Sequence, residues 1–302
     1  MRFLPTDDQL ELQRGVRDVL AARFPLDRLP DGFDAALWDE LGATGVFGLR
    51  AELGLGLAEA VLVFEELGYA AVPGPLVATF LVASRTEGPV ALVEPDARPL
   101  LVAHLDVARA LLVLDARGPQ LATPVEGEPL TAPIDPLSPL HELAEVPVGK
   151  VFGDASDSAW LRLEGAVLTA AVQVGLAARL TELSVDYAKT REQFGRTIGS
   201  FQAVKHLCAD MFVRTELARV AVHAAAVTLD DPVSVTGARA VAGAKLLADE
   251  AATTNGRSAV QVHGGMGFTW EVPVHFLLKR AWMHATEFGT ADDHAEDLAD
   301  LL

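Results

Sequence analysis

Six prolines, Pro124, Pro129, Pro133, Pro136, Pro139 and Pro147, fall in one short stretch near the middle of the chain. Proline fixes φ and lacks an N–H, so this stretch cannot be helix and suits only turns and strand edges. Three short apolar runs precede it, at 90–93, 100–103 and 109–114, separated by Pro, Gly and Asp. They read as strands of a small module. Helix-period patterns dominate on both sides. Upstream they cover 6–20, with Thr6 as N-cap and Asp7 and Asp8 in the first turn, then 34–41 and 57–67, with a further apolar segment through Val82. Gly42, Gly45 and Gly48 interrupt this part, and Gly68 ends its third helix. Downstream, helices are predicted over 166–190, 201–229, 235–254 and 273–286, with a turn at Asp230-Asp231-Pro232 and a stop before Asn255-Gly256. The fold class is therefore mainly α with a small β module. The expected domains are an N-terminal helical domain (1–85), a reduced β-rich middle domain (86–157) and a C-terminal helical-bundle domain (158–302).

Charge narrows the function. With 24 Lys and Arg against 42 Asp and Glu, the net charge is −18. Such a surface repels phosphate backbones and anionic lipid, which excludes sequence-independent nucleic-acid binding. One cysteine, Cys208, allows neither an intrachain disulfide nor a Cys-rich metal site and fits a cytoplasmic protein. The N-terminus carries Asp7, Asp8, Glu11, Arg14 and Arg17 at helical spacing, unlike a signal peptide. The longest apolar run, 166–178, falls short of the roughly 20 residues that span a bilayer, so it reads as a buried core helix and no membrane span is expected. Half of the 302 residues are hydrophobic, and several helices are apolar on more than one face, which points to burial against another subunit.

Two segments carry specific information. The first is Tyr187-Ala188-Lys189-Thr190-Arg191-Glu192-Gln193-Phe194-Gly195, followed by Ile198-Gly199 and Phe201-Gln202. An Arg at a helix end beside a Gly-rich turn can hold phosphate in a bidentate contact, or it can simply pair with a carboxylate such as Glu192. The second is Gln261-Val262-His263-Gly264-Gly265-Met266-Gly267-Phe268-Thr269-Trp270-Glu271. Its glycines permit close backbone approach to a ligand. No Lys-Ser/Thr follows them as in a P-loop, and no strand precedes them as in a Rossmann turn. Alone, the segment is a tight corner between helices.

Taken together, the two segments resemble the acyl-CoA dehydrogenase family over nearly the whole chain. Glu65-Glu66-Leu67-Gly68 resembles its N-terminal helical domain, residues 187–195 the start of its C-terminal domain, and Gln261 to Phe268 its QxxGGxGF/Y signature. Gln202 stands eleven residues after Arg191, as in the family. The wording of the second segment is most similar to actinobacterial enzymes acting on steroid side-chain thioesters. The resemblance implies FAD as cofactor, an acyl-CoA substrate, and α,β-dehydrogenation in which a Glu takes the α-proton. It implies electron-transfer flavoprotein or a similar acceptor. It also places FAD across a subunit interface, with Arg191, Gln193, Phe194 and Gln202 reaching a neighbour's FAD and Gln261, Gly264 and Gly265 near its adenine and pyrophosphate.

The chain also departs from the family. Its usual base lies in a Tyr-Glu-Gly-Thr stretch; here the stretch is Glu287-Phe288-Gly289-Thr290, with Phe288 in the base position and Glu287 one residue early. The other family position for a base falls on Gly165, with Glu164 adjacent. One residue on a helix is a rotation of about 100°. The flavin-ring motifs of the middle domain are absent between Gly88 and Asp157, Asp292 replaces a Gln, and Phe276 and Arg280 replace a Lys and an Asp. This pattern resembles one subunit of an α2β2 acyl-CoA dehydrogenase that lacks the catalytic Glu and pairs with a second, full-length subunit. Two other readings stay open. One is a complete homo-oligomeric enzyme using Glu164 or Glu287 as base. The other is a cofactor-free helical partner protein; a flavin monooxygenase on the same fold fits the glycine signature less well.

Overall fold

The computed structural model describes residues 3–231 and 233–300. Pro232, part of the expected turn after Asp231, lies outside the described residues, as do Met1, Arg2 and the last two positions. The elements follow the expected order of helices, strands and helices. Helices α1 (Asp7–Arg23), α2 (Ala35–Ala43), α3 (Leu57–Tyr69) and α4 (Leu76–Val82) come first. Strands β1 (Val90–Val93), β2 (Leu101–Ala103), β3 (Ala110–Asp115), β4 (Gly118–Ala122), β5 (Glu128–Pro129), β6 (Leu140–Glu142) and β7 (Lys150–Val151) follow. Then come α5 (Ala155–Thr190), a hairpin of β8 (Glu192–Gln193) and β9 (Arg196–Thr197), α6 (Gln202–Asp230), α7 (Gly237–His263), α8 (Val274–His284) and α9 (Ala291–Asp300). The chain gathers into two compact units. One holds the residues up to Leu29, Leu57–Val72 and those from Ala166 onward; the other holds Pro30–Gly56 and Pro73–Gly165.

In the second unit, β1, β3, β4 and β7 form one sheet, and β2, β6 and β5 another. β1 and β3 pair in parallel, with β2 of the other sheet serving as the crossover between them. The sheets share a core of Ala91, Val93, Val102, Leu111, Val113 and Ala122, among others. The module is larger than the three expected strands. β4 opens on Gly118-Pro119, which hides it from a propensity reading, and pairs antiparallel with β3 through Leu112↔Leu121. Pro129 sits on the short edge strand β5, where no ladder N–H is needed.

The first unit is helical, and its N-terminal cap is as expected. Thr6 accepts from the backbone N–H of Gln9, and the Gln9 side chain accepts from the Thr6 N–H, a capping box worth roughly 1 kcal/mol. α3 is buried along nearly its whole length and carries two adjacent acids. Neighbouring helix positions diverge by about 100°, so the two acids take different partners. Glu66 accepts from Arg17 of α1 through two bonds of 2.7 Å, and Glu65 accepts from Arg219 of α6 at 2.8 Å. On another face of α3, Gly68 lies against the backbone of Val172 in α5, and Gly175 of α5 lies against the backbone of Glu65 and Tyr69. The two helices touch backbone to backbone.

Two helix boundaries and one whole helix differ from the sequence expectation. α5 starts eleven residues early, because Asp154 and Asp157 satisfy the first backbone donors: Ser156 N–H donates to Asp154, and Asp154 N–H to Asp157. α7 runs through Asn255-Gly256 to His263 instead of stopping before it. The Asn255 amide is fully buried and donates to Ala177 O, Thr181 Oγ1, Met211 O and Thr215 Oγ1, tying α7 to α5 and α6. The Gly256 position is needed for close approach of Leu278. α9 was not expected at all; its sequence is polar, and Thr290 starts it by bonding Asp293. The apolar run 166–178 is buried inside the protein as expected. α5 is long and apolar enough to cross a membrane, but most of its apolar window is covered by other parts of the chain.

Candidate functional site

Arg191 follows the last residue of α5, and its backbone N–H still bonds to Tyr187 O. The next residues turn back in a hairpin with Glu192↔Thr197 and Gln193↔Arg196 paired, leaving Phe194-Gly195 as a two-residue loop. Both loop residues have positive φ, 53° at Phe194 and 76° at Gly195, as a type I′ turn requires. For a phenylalanine this conformation is strained. The ring is nonetheless 92% exposed, so packing does not repay the strain. Its one ring contact among the described residues is an edge approach to Phe201, with centroids 6.3 Å apart.

The Arg191 side chain is exposed and makes no ion pair among the described residues, so the pairing with Glu192 does not form. Among the described residues, Gln193 donates only to the Glu192 carbonyl, at 2.8 Å. Gln202 opens α6, whose N-cap residue, Phe201, offers no side-chain cap. Gln202 lines a cleft of about 490 Å3 with Ser200, Lys205, His206 and Ala209. Lys205 and His206 were missed in the sequence; their i+3 and i+4 spacing from Gln202 is the signal that puts them on its face.

Gln261 is exposed at the end of α7. Gly264 ends the helix with φ 59°, a backbone that side chains rarely adopt, and a Cβ on either Gly264 or Gly265 would meet nothing within 4 Å. This corner is open to a close backbone approach from outside. The helix ends that carry the hairpin and the corner are joined: the ring of Tyr187, in the last turn of α5, stacks on His263 at the end of α7 at 4.2 Å, and burial pushes the His263 imidazole below its usual pKa. Exposed amide and guanidinium donors, a strained exposed aromatic and an unobstructed glycine backbone fit the adenine and pyrophosphate portion of a dinucleotide.

The two candidate bases have different settings. Glu164 is 2% exposed, in the second unit. Both its oxygens accept from Arg50 Nη1 at 2.7 Å, and one also accepts from the Trp160 indole at 2.7 Å. Glu287 is partly exposed after α8, with its carboxylate 2.9 Å from His284 Nδ1. Beside it, Phe288 has φ 55° and is buried, and its carbonyl accepts from His294 at 3.1 Å. Arg280 is buried too and donates to Val72 O at 2.9 Å, which gives this departure a structural role.

The family profile "Acyl-CoA dehydrogenase, C-terminal domain" matches residues 163–302. Acyl-CoA dehydrogenase IpdE2 of Mycobacterium tuberculosis is 36% identical over 276 residues, covering 83% of this chain and 81% of that protein. Among solved structures, the ChsE4–ChsE5 complex from Mycobacterium tuberculosis matches with a TM-score of 0.81 at 22% identity, covering 99% of this chain and 98% of that one. The Tcur3481–Tcur3483 steroid ACAD matches with a TM-score of 0.80 at 24% identity, covering 98% and 97%. The fold, the glycine corner and the extent of the likeness to IpdE2 agree: this chain belongs to the acyl-CoA dehydrogenase family.

Proposed function

We propose that the chain is the base-lacking subunit of a heteromeric, FAD-dependent acyl-CoA dehydrogenase. It would pair with a second, full-length subunit in an α2β2 assembly and act in the cytoplasm on a steroid side-chain acyl-CoA. Electron-transfer flavoprotein or a similar protein would be the acceptor. The observation that carries this reading is the contrast between its two kinds of site. The groups suited to the adenine and pyrophosphate, Arg191, Gln193, Phe194, Gln202, Gln261, Gly264 and Gly265, are exposed and unobstructed. The base position is filled by buried Phe288, and Glu164 is fully engaged by Arg50 and Trp160. The outer side of α6 adds support. Phe212, Val213, Leu217 and Val220 are each more than half exposed, an apolar stripe suited to another subunit. The likeness to IpdE2 and to a steroid ACAD supports the substrate class.

When bound, FAD supplies the acceptor for the β-hydride of the thioester. The chain's own part is binding. Arg191 meets a phosphate through a charge-assisted bond, the Gln202 and Gln261 amides hold neutral edges, and the Gly264-Gly265 backbone admits close approach. Lys205 adds positive charge beside Gln202, and the His206 ring lines the same cleft.

The test is purification alone and with the co-expressed second subunit, reading flavin absorbance, mass and acyl-CoA turnover. The expected result is little FAD on the chain alone and one FAD per pair of unlike chains in an active complex. An active assembly of this chain alone, with one FAD per chain, would overturn the reading.

A further inference from the structure

A cavity of about 300 Å3 opens in the first unit, among α1, the short 3-10 turn Leu26–Asp31, α3 and α5. One side is apolar, formed by Leu20, Phe24, Pro25 and Leu26, of which Leu20 and Phe24 are otherwise core residues. The other side is polar, formed by Arg17, Tyr69 and Arg179 together with Glu66, whose carboxylate is taken up by Arg17. Both guanidiniums lie over the Tyr69 ring, at 5.5 Å and 4.9 Å from its centroid.

The hydrogen-bond inventory of this polar side is uneven. Arg17 uses Nε and Nη2 on Glu66, each at 2.7 Å. Arg179 uses only Nη1, which donates to the Tyr69 hydroxyl at 2.9 Å and to Glu182. The Tyr69 hydroxyl donates to Glu182. Among the described residues, Arg17 Nη1 and Arg179 Nε and Nη2 donate to nothing. Glu66 and Glu182 balance the two arginines, so there is no surplus charge to attract anions in general. What the cavity offers instead is directional N–H groups on a fixed frame, facing an apolar wall.

We propose that this cavity is a binding site for a small monocarboxylate with an apolar body. The carboxylate would accept from the unused edges of Arg179 and Arg17, and a saturated ring or short chain would cover Leu20 and Phe24. The volume is at the low end for ligand sites, which limits the occupant to roughly ten non-hydrogen atoms. A bare oxyanion such as phosphate leaves the apolar wall uncovered. A neutral alcohol leaves the guanidinium edges without a charged acceptor, and a charge-assisted bond is about twice as strong as a neutral one. The site does not depend on the flavin reading, since none of its residues belongs to the hairpin or the glycine corner.

The experiment is calorimetric titration of the full chain with cyclohexanecarboxylate, with cyclohexanemethanol and inorganic phosphate as matched probes. Saturable one-site binding of the carboxylate is expected, with both other probes at least about tenfold weaker. Arg179→Gln should weaken carboxylate binding by about tenfold or more. Ala21→Trp, which places bulk in the cavity from an exposed helix position, should abolish it without loss of helical circular dichroism. Absence of saturable binding up to about 10 mM, or equal binding by either folded variant, would overturn the proposal.

Discussion

Replacing Gly175 by alanine isolates the backbone contact between α5 and α3. The new Cβ would lie 2.0 Å from Glu65 O and 2.4 Å from Tyr69 N, where ordinary contact begins at 3.4 Å. Both obstacles are backbone, so no rotamer change relieves them. The helices must part locally by about 1.4 Å, the shortfall of the 2.0 Å oxygen distance from the 3.4 Å of ordinary contact. The neighbours on this stretch of α5, Val172, Val174 and Leu176, are all buried, and a radial gap of even 0.5–1 Å forfeits about a quarter to a half of each dispersion well. Overpacking of this kind costs about 1–3 kcal/mol, and a backbone clash belongs at the upper end. Alanine recovers up to about 1 kcal/mol of helix propensity. The net expectation is a loss of about 2 kcal/mol, or a fall in Tm of roughly 3 °C for a chain of this size. The control is Gly15→Ala in α1, where nothing lies within 4 Å and the same substitution should stabilise by up to about 1 kcal/mol. Urea unfolding followed by circular dichroism reads both. If Gly175→Ala is as stable as the parent, or shifts in the same direction as Gly15→Ala, the backbone contact does not constrain the fold.

Arg191→Ala should weaken FAD retention in the assembled enzyme by about 10- to 100-fold, since a charge-assisted bond contributes about 1.5–3 kcal/mol; unchanged flavin absorbance after dialysis would mean that Arg191 holds no phosphate. Glu164→Gln and Glu287→Gln should each leave turnover of the complex within a few-fold, whereas removing a general base costs at least about 10²-fold. A loss of that size with FAD content and assembly intact would assign the base to this chain. Burial alone would raise the Glu65 pKa, but the His223 imidazole, 3.4 Å away, and Arg219 outweigh it and hold the carboxyl below its ordinary 4.5. The stability this gives is therefore present above that value and lost as pH falls through the depressed one, and Glu65→Gln should flatten the urea midpoint between about pH 6 and pH 3. Arg219→Met, which leaves Glu65 buried without its main cation, should cost about 3–5 kcal/mol in the same assay.

Legibility followed the range of the interactions involved. The Thr6 cap, the order of elements and the buried run at 166–178 depend on neighbours within a few residues, and all were readable. The stop placed at Asn255-Gly256 failed because a local turn signal was overruled by four acceptors on α5 and α6. β4 escaped notice because its partner β3, and not its own composition, makes it a strand. Glu65 and Glu66 were visible as a motif, but no local rule sends one to α6 and the other to α1. The same holds for the site. The residues from Arg191 to Gln202 and the glycine corner were legible as motifs. The stack of Tyr187 on His263 that joins them was not, nor was the engagement of Glu164 by Arg50.

The buried Asn255 also acts on the chemical lifetime of the chain. In a flexible peptide, an asparagine followed by glycine is the pair most prone to deamidate, because the glycine nitrogen can swing round to attack the side-chain amide and close a succinimide ring. Within α7 the backbone is held helical and the amide is anchored to four oxygens, so ring closure is blocked. Unfolded chain has no such protection. Each hour spent unfolded converts some molecules to aspartate or isoaspartate at position 255, and those molecules must then place a carboxylate oxygen against the four oxygens that accept from the native amide, with the Arg214 guanidinium, which donates to Asn255 Oδ1 at 3.0 Å, left to offset it. Delayed folding would thus become permanent damage. Mass spectrometry of aged, urea-unfolded chain against folded chain would show this clock running in one sample and stopped in the other.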